Sequence, residues 1–266
     1  MKKPIRIACI LLALSLLLCA CGGQPETESA TAEPTQPAIT TEAALQEALS
    51  KERWASLDAD LQLTGAVVLK DQTLTGNGHT ITPPVYDENV PSTASGIFIT
   101  KGTVENVTVK GGYRGISNSA DYRNTGDVRL NNVTVEGEKS ALYLGYGNNE
   151  GSIYVTGSTL LGWTVYNKMI QAKFTDCTFG FNESGSTGKL TAYTDTELID
   201  CHFESKVDEN GEKTPFTLYI KHSETGNDVI LENCYADGEL ITPDNVEQLL
   251  KVITKDKPVQ VVNTDG

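Results

Sequence analysis

VENVTVKG (104–111), LNNVTVEG (130–137), VTGSTLLG (155–162), FTDCTFG (174–180), LIDCHFES (198–205) and LENCYADG (231–238) are one phrase written six times. The turn-forming residues Asn106, Asn132, Gly157, Asp176, Asp200 and Asn233 mark equivalent points, at spacings of 26, 25, 19, 24 and 33. A repeat of roughly 20–30 residues without helical periodicity points to a solenoid. Two residues before each marker stand Val104, Leu130, Val155, Phe174, Leu198 and Leu231. One after it come Val107, Val133, Ser158, Cys177, Cys201 and Cys234, and three after it Val109, Val135, Leu160, Phe179, Phe203 and Ala236. Side chains two apart share a strand face. These columns are therefore expected to point inward. The residues between them, Thr108, Thr134, Thr159, Thr178, His202 and Tyr235, are expected to point outward.

A further strand belongs to each turn: SGIFIT (95–100), RGISN (114–118), SALYLG (140–145), LTAYT (190–194) and FTLYIK (216–221). Several short strands per repeat, joined by Gly, Asn and Asp corners, predict an all-β, single-domain, right-handed parallel β-helix over residues 42–266. Its end rungs would expose unpaired strand edges and call for caps. The stretch 41–49 reads as a short amphipathic helix capped by Thr41, and 243–253 as a second helix capped by Asp244 or Asn245. A last strand follows at 258–262.

The chain resembles the pectate-lyase-like superfamily of right-handed β-helices. The likeness rests on Leu74-Thr-Gly-Asn-Gly-His-Thr-Ile81, on the Asn-Val-Thr-Val strings and on Leu45-Gln46-Glu47-Ala48-Leu49. It implies the fold, and a superfamily containing polysaccharide lyases, glycoside hydrolases, adhesins and surface proteins. The Asn-Thr-Asp, Asp-Asp, Gly-His-Gly and Arg-Ile-Lys strings of polygalacturonase-type members are absent.

The N-terminus carries an address. Lys2, Lys3 and Arg6 precede an apolar run from Ile7 to Leu18, of signal-peptide length and short for a bilayer span. Leu18-Cys19-Ala20-Cys21 resembles a bacterial lipobox, which implies cleavage after residue 20 and lipidation of Cys21. Residues 21–41, rich in Pro, Thr, Glu and Ala, read as the lipidated Cys and a disordered tether. The expected location is extracytoplasmic, with the lipid anchoring the chain to a bacterial membrane. Losing residues 1–20 removes three cations and no acid, so the net charge falls from −14 to −17. That balance argues against nucleic acid as a partner.

Cys9, Cys19 and Cys21 belong to the leader, leaving Cys177, Cys201 and Cys234 in the folded region. An odd number forbids complete pairing. Rungs about 4.8 Å apart bring a pair near disulfide distance, but that bond is geometrically demanding. The reading is a ladder of buried thiols.

The candidate ligand face is the outward side of the further strand, where Phe98, Tyr143 and Tyr219 take one place and Tyr146 follows in the next corner. Tyr193, Trp163 and Tyr166 are grouped with them, and Asp121 and Arg123 belong to the polar insertion 119–128. A second polar insertion covers 208–215. Rings on a rigid sheet stack on sugar faces while polar neighbours bond hydroxyls. Aromatics are also enriched in strands for packing alone. The preferred expectation is a lipoprotein that binds a polysaccharide or a surface protein. One competing class is a polysaccharide lyase or glycoside hydrolase, with calcium as the candidate cofactor. Its ligands would come from Asp121, Asp127, Glu150, Asp195, Glu224 and Asp228, with Arg114, Arg123 or Lys139 as base. The other is a non-enzymatic adhesive or structural spacer. His202 and His79 have no assignable partners in sequence, and no metal-ligand spacing recurs.

Overall fold

The computed structural model describes residues 38–85, 94–147, 149–167, 169–183, 185, 187–221, 227–254 and 257–264. The signal peptide, Cys21 and nearly all of the tether lie outside them, as does Glu224.

Why Asn, Asp or Gly stands at each marker is plain from the backbone. Asn77, Asn106, Asn132, Gly157, Asp176, Asp200 and Asn233 all sit in the left-handed region, with φ between 50° and 57°. Gly, Asn and Asp are the residues that tolerate this conformation. Each makes a one-residue corner between two strands whose side-chain alternation continues on either side. Asn132 Nδ2 also donates to Asn106 Oδ1 at 2.8 Å, tying one corner to the next.

Three strands make a turn, and strands at the same place in successive turns join one parallel sheet. The first sheet has nine strands, from Trp54–Ser56 to Gln260–Val262. The second has nine, from Leu61–Gln62 to Tyr235–Ala236 and the antiparallel Glu239–Leu240 that closes it. The third has eight, from Val67–Leu69 to Lys251–Ile253. The chain is therefore a parallel β-helix. The columns read from the repeat are in register: Leu74, Val104, Leu130, Val155, Phe174, Leu198 and Leu231 stack in the first sheet, all buried. Ile97, Ile116, Leu142, Thr164, Leu190 and Leu218 stack in the third, also buried.

The core changes character along the axis. Aliphatic residues fill the early rungs, whereas Phe174, Phe179, Phe203 and Phe216 pack together later, with Phe179 and Phe203 stacked at 5.4 Å. Beside these rings lies the column of Cys177, Cys201 and Cys234, free and buried. Small thiols leave room for large neighbours at native density. Each thiol donates to a carbonyl of the preceding rung, Val155, Phe174 and Leu198 respectively. Burial pushes the Cys201 thiol far above its ordinary range.

The ends differ from the sequence reading in detail. Helix α1 (Glu42–Lys51) is capped by Thr41, which accepts from the Ala44 N–H at 3.2 Å, and it buries Leu45 and Leu49 over the first rung. The packed chain begins before residue 42: Ile39, placed above in the tether, is buried and bridges to Leu57. At the other end only Val246–Leu249 (α2) is helical, with Asn245 as its cap residue. Lys251–Ile253 is a strand paired with Thr217–Tyr219. Its apolar spacing suits either structure, and an open sheet edge decides between them.

Candidate functional site

The outward side of the third sheet carries two adjacent columns. The first contains Phe98, Ser117, Tyr143, Val165, Thr191 and Tyr219, each facing the next across one rung. The three rings therefore do share one place, but smaller residues separate them. In the second column Arg114 faces Ser140. Trp163, whose N–H donates to the Lys139 carbonyl, follows one rung on. It faces Lys189, then Thr217, then Lys251.

Side chains from both columns interlock. Arg114 lies over the Tyr143 ring at 4.0 Å and also approaches Tyr113 and Tyr146 at 5.5 and 5.2 Å. Its Nη1 donates to the Tyr146 hydroxyl at 3.1 Å, while its buried Nε has no acceptor. The Tyr143 ring meets Tyr146 at 5.3 Å and Trp163 at 5.8 Å, both edge-on. Trp163 donates from Nε1 to Thr191 Oγ1 at 2.9 Å. Lys189 lies over both Trp163 and Tyr219, at 5.3 and 5.0 Å. A strip of rings and cations thus runs from Tyr113 to Tyr219. Burial, and then the neighbouring Lys221 charge, lower the Lys189 pKa. Lys221 is raised by its 3.0 Å bond to the Tyr193 hydroxyl.

A buried amide network holds the corner beneath this strip. Asn118 Nδ2 donates to Asn124 Oδ1, to Asn149 Oδ1 and to the Tyr146 carbonyl, and its Oδ1 accepts from the Tyr146 N–H. Asn149 Nδ2 donates to the carbonyls of Leu144 and Asn167. The three amides are buried, so their bonds are worth more than solvated ones would be. The loop that carries Tyr146 is therefore rigidly placed.

Of the residues singled out from sequence, Tyr143, Tyr146 and Tyr219 join the strip. Phe98 belongs to a separate corner, stacked on Tyr122 at 5.6 Å with Lys70 over the same ring at 5.8 Å. Asp121 and Arg123 line the shallow hollow of this corner, and Arg123 also lies against Gly147, next to Tyr146. Gly147 has φ +74°, and a Cβ there would stand 2.9 Å from the Arg123 side chain. Tyr166 is not on the face at all: it points inward, fully buried, with its hydroxyl 2.8 Å from Thr196 Oγ1. Tyr193 lies beyond the Tyr143 column, two residues after Thr191. Tyr113, Tyr122, Lys189 and Lys221 escaped the sequence reading, because their ring contacts depend on which rungs stack.

Of the carboxylates considered for calcium, Asp127, Asp195 and Asp228 serve the corners. Asp127 pairs with Arg129 at 2.9 Å and accepts from the Ser152 N–H of the next rung. Asp195 accepts from the Asp228 N–H, and Asp228 pairs with Lys257 at 2.9 Å. Among the described residues, no group of three His, Cys, Asp or Glu stands close enough to hold a metal ion. His202 is exposed and stacks on Tyr235 at 5.3 Å, and His79 lies 3.3 Å from Asp60. No helix among the described residues is long and apolar enough to cross a membrane. Comparison of the chain with protein-family models, curated proteins and solved structures returned no match.

Proposed function

We propose that the protein is a lipid-anchored, extracytoplasmic binding module that holds a glycan against the outer side of its third sheet. The observation that carries this reading is the cluster of Arg114, Tyr143, Tyr146 and Trp163, in which rings and a guanidinium are locked by one another and by the amide network beneath. Preorganised rings offer apolar area at small entropic cost, which is what a flexible, hydroxyl-rich chain requires of its receptor. The fold and the motifs quoted above support placing it near the pectate-lyase-like β-helices. Cys21 is the proposed site of lipidation, and residues 22–38 the spacer between membrane and domain.

A catalytic reading needs two carboxylates flanking one bond, or a cation site beside a base. The aromatic strip offers rings and cations, and Asp127, Asp195 and Asp228 are engaged in backbone and ion-pair contacts. Binding is therefore preferred to cleavage. The test is a panel of immobilised polysaccharides, with and without a calcium chelator, scored for retention of the protein and for newly released chain ends. Saturable retention without new ends, weakened by Tyr143→Ala, is the expected result. Chelator-sensitive cleavage would replace this reading with an enzymatic one. Separately, Cys21→Ser should move the protein from the membrane fraction to the soluble one.

A further inference from the structure

The two ends of the solenoid bury their core unequally. Under α1 the first strands of the three sheets hold Ala55, Leu61 and Val67, all buried. At the last turn Val252 and Val261 close the inward columns of the third and first sheets, and both remain partly exposed. Their register partners one turn earlier, Leu218 and Leu231, are 0% exposed. The core is therefore open at this end.

The opening has a shape. The three sheets start in the same turn, on Trp54–Ser56, Leu61–Gln62 and Val67–Leu69. Among the described residues the first and second then reach nine strands and the third eight. The third sheet stops a turn short, on Lys251–Ile253, which pairs with Thr217–Tyr219 on one side and with no described strand on the other. A hollow of about 810 Å³ lies at this step. Val246, Val252 and Val259 give it an apolar lining, with Pro243 and Pro258 beside them. An added strand asks for this combination: the sheet edge supplies main-chain bonds, and the exposed apolar side chains supply area to bury.

Charge selects the strand. Asp244 and Glu247 line the hollow and are exposed. Glu239 stands opposite the buried Ala236 in an antiparallel pair, so its side chain falls on the core side of the second sheet. Among the described residues none of these three carboxylates is in an ion pair. The lysine of the lining, Lys257, is already met by Asp228 at 2.9 Å. Lys251 stands in the outward column, off the hollow. The step is therefore apolar within and negative around. The chain's own tether suits it poorly: residues 22–37 hold Glu26, Glu28 and Glu33 with no Lys or Arg, and they lead into Ile39 beside Leu57, at the opposite end.

We propose that this step docks an extended segment of another protein, in which apolar residues alternate with Lys or Arg. The segment lies as the next strand of the third sheet, with apolar side chains on Val252 and basic ones toward Asp244, Glu247 and Glu239. The glycan face is separate, and the docking site does not rest on it.

The test uses the full chain in detergent and three labelled peptides: one of alternating Val and Lys, one of alternating Val and Glu, and the Val-Lys peptide with Pro at its centre. Fluorescence anisotropy should show the Val-Lys peptide binding about tenfold more tightly than the Val-Glu one. It should also bind about tenfold more tightly than its Pro form, which lacks a ladder N–H. Asp244→Asn combined with Glu247→Gln should weaken the Val-Lys peptide several-fold. Glu197→Gln, at an exposed acid of the first sheet, should leave it unchanged. Binding indifferent to the central Pro or to the exchanged acids of the step, or no binding of any peptide, would overturn the proposal. So would sedimentation as a dimer that the Val-Lys peptide disperses, which would make the occupant a second copy of this chain.

Discussion

Arg129 and Arg114 are near-duplicates with opposite surroundings. Arg129, on the first sheet, lies over Tyr154 at 4.4 Å, and its charge is met by Asp127 at 2.9 Å. Arg114, on the third, lies over Tyr143 at 4.0 Å and, among the described residues, its side chain meets a hydroxyl and rings but no carboxylate. The first arrangement is self-sufficient: cation, ring and anion are all supplied by the protein. The second lacks its anion. A ring-stacked arginine is thus not in itself a sign of a binding face; what distinguishes the two sheets is whether the charge has been answered from within.

The largest effect expected from breaking this contrast comes from beneath the strip. Asn149→Ala would take the Asn149 partner from the Asn167 carbonyl and from the Asn124 N–H, at a cost of about 2–4 kcal/mol. Thermal unfolding should show the loss, and the variant's residual ligand binding should weaken as Tyr146 loses its support. Next, Tyr143→Ala should reduce ligand affinity about tenfold, or about 1.4 kcal/mol, while Tyr154→Ala leaves it unchanged. Titration calorimetry on both variants measures the pair, and equal losses would erase the distinction between the sheets. A smaller effect tests the cause directly. Asp127→Asn keeps an acceptor for the Ser152 N–H but frees Arg129. It should cost no more than about 1 kcal/mol in thermal unfolding and leave ligand affinity unchanged, because Arg129 stands on the first sheet. Smallest of all, Lys173→Ala breaks the exposed pair with Glu197 and should cost no more than about 0.5 kcal/mol in chemical denaturation, with no change in binding.

The fold was legible because its determinants are local. One left-handed corner per turn restricts the residue to Asn, Asp or Gly, and strand alternation then sorts Val133 from Thr134 without knowledge of the rest. The face was legible only in part, because its contacts cross rungs. Tyr143 and Tyr219 could be aligned by eye, yet Lys189 finds both Trp163 and Tyr219 only after three rungs have been stacked in register. Tyr166 was grouped with the surface rings although it lies three residues beyond Trp163 in the same strand, the parity that sends it inward. The overlong C-terminal helix has the same origin. Leu249, Leu250, Val252 and Ile253 satisfy a helical period, and only the waiting edge of Thr217–Ile220 makes a strand the better answer.

The two ends of the solenoid are unequal, and this bears on how the molecule comes to exist. Helix α1 seals the first turn, whereas at the last turn the three sheets finish on Gln260–Val262, Glu239–Leu240 and Lys251–Ile253, each paired on one side among the described residues. Neighbouring turns supply nearly all of each other's contacts, as in any linear repeat. Since the sealed end is synthesised first, it is complete while later turns are still being delivered, and each new turn lays its strands on a finished template. Maturation then resembles the growth of a crystal from a seed. Trimming the chain from its C-terminal end would shorten the object turn by turn, but removing α1 would damage the seed itself.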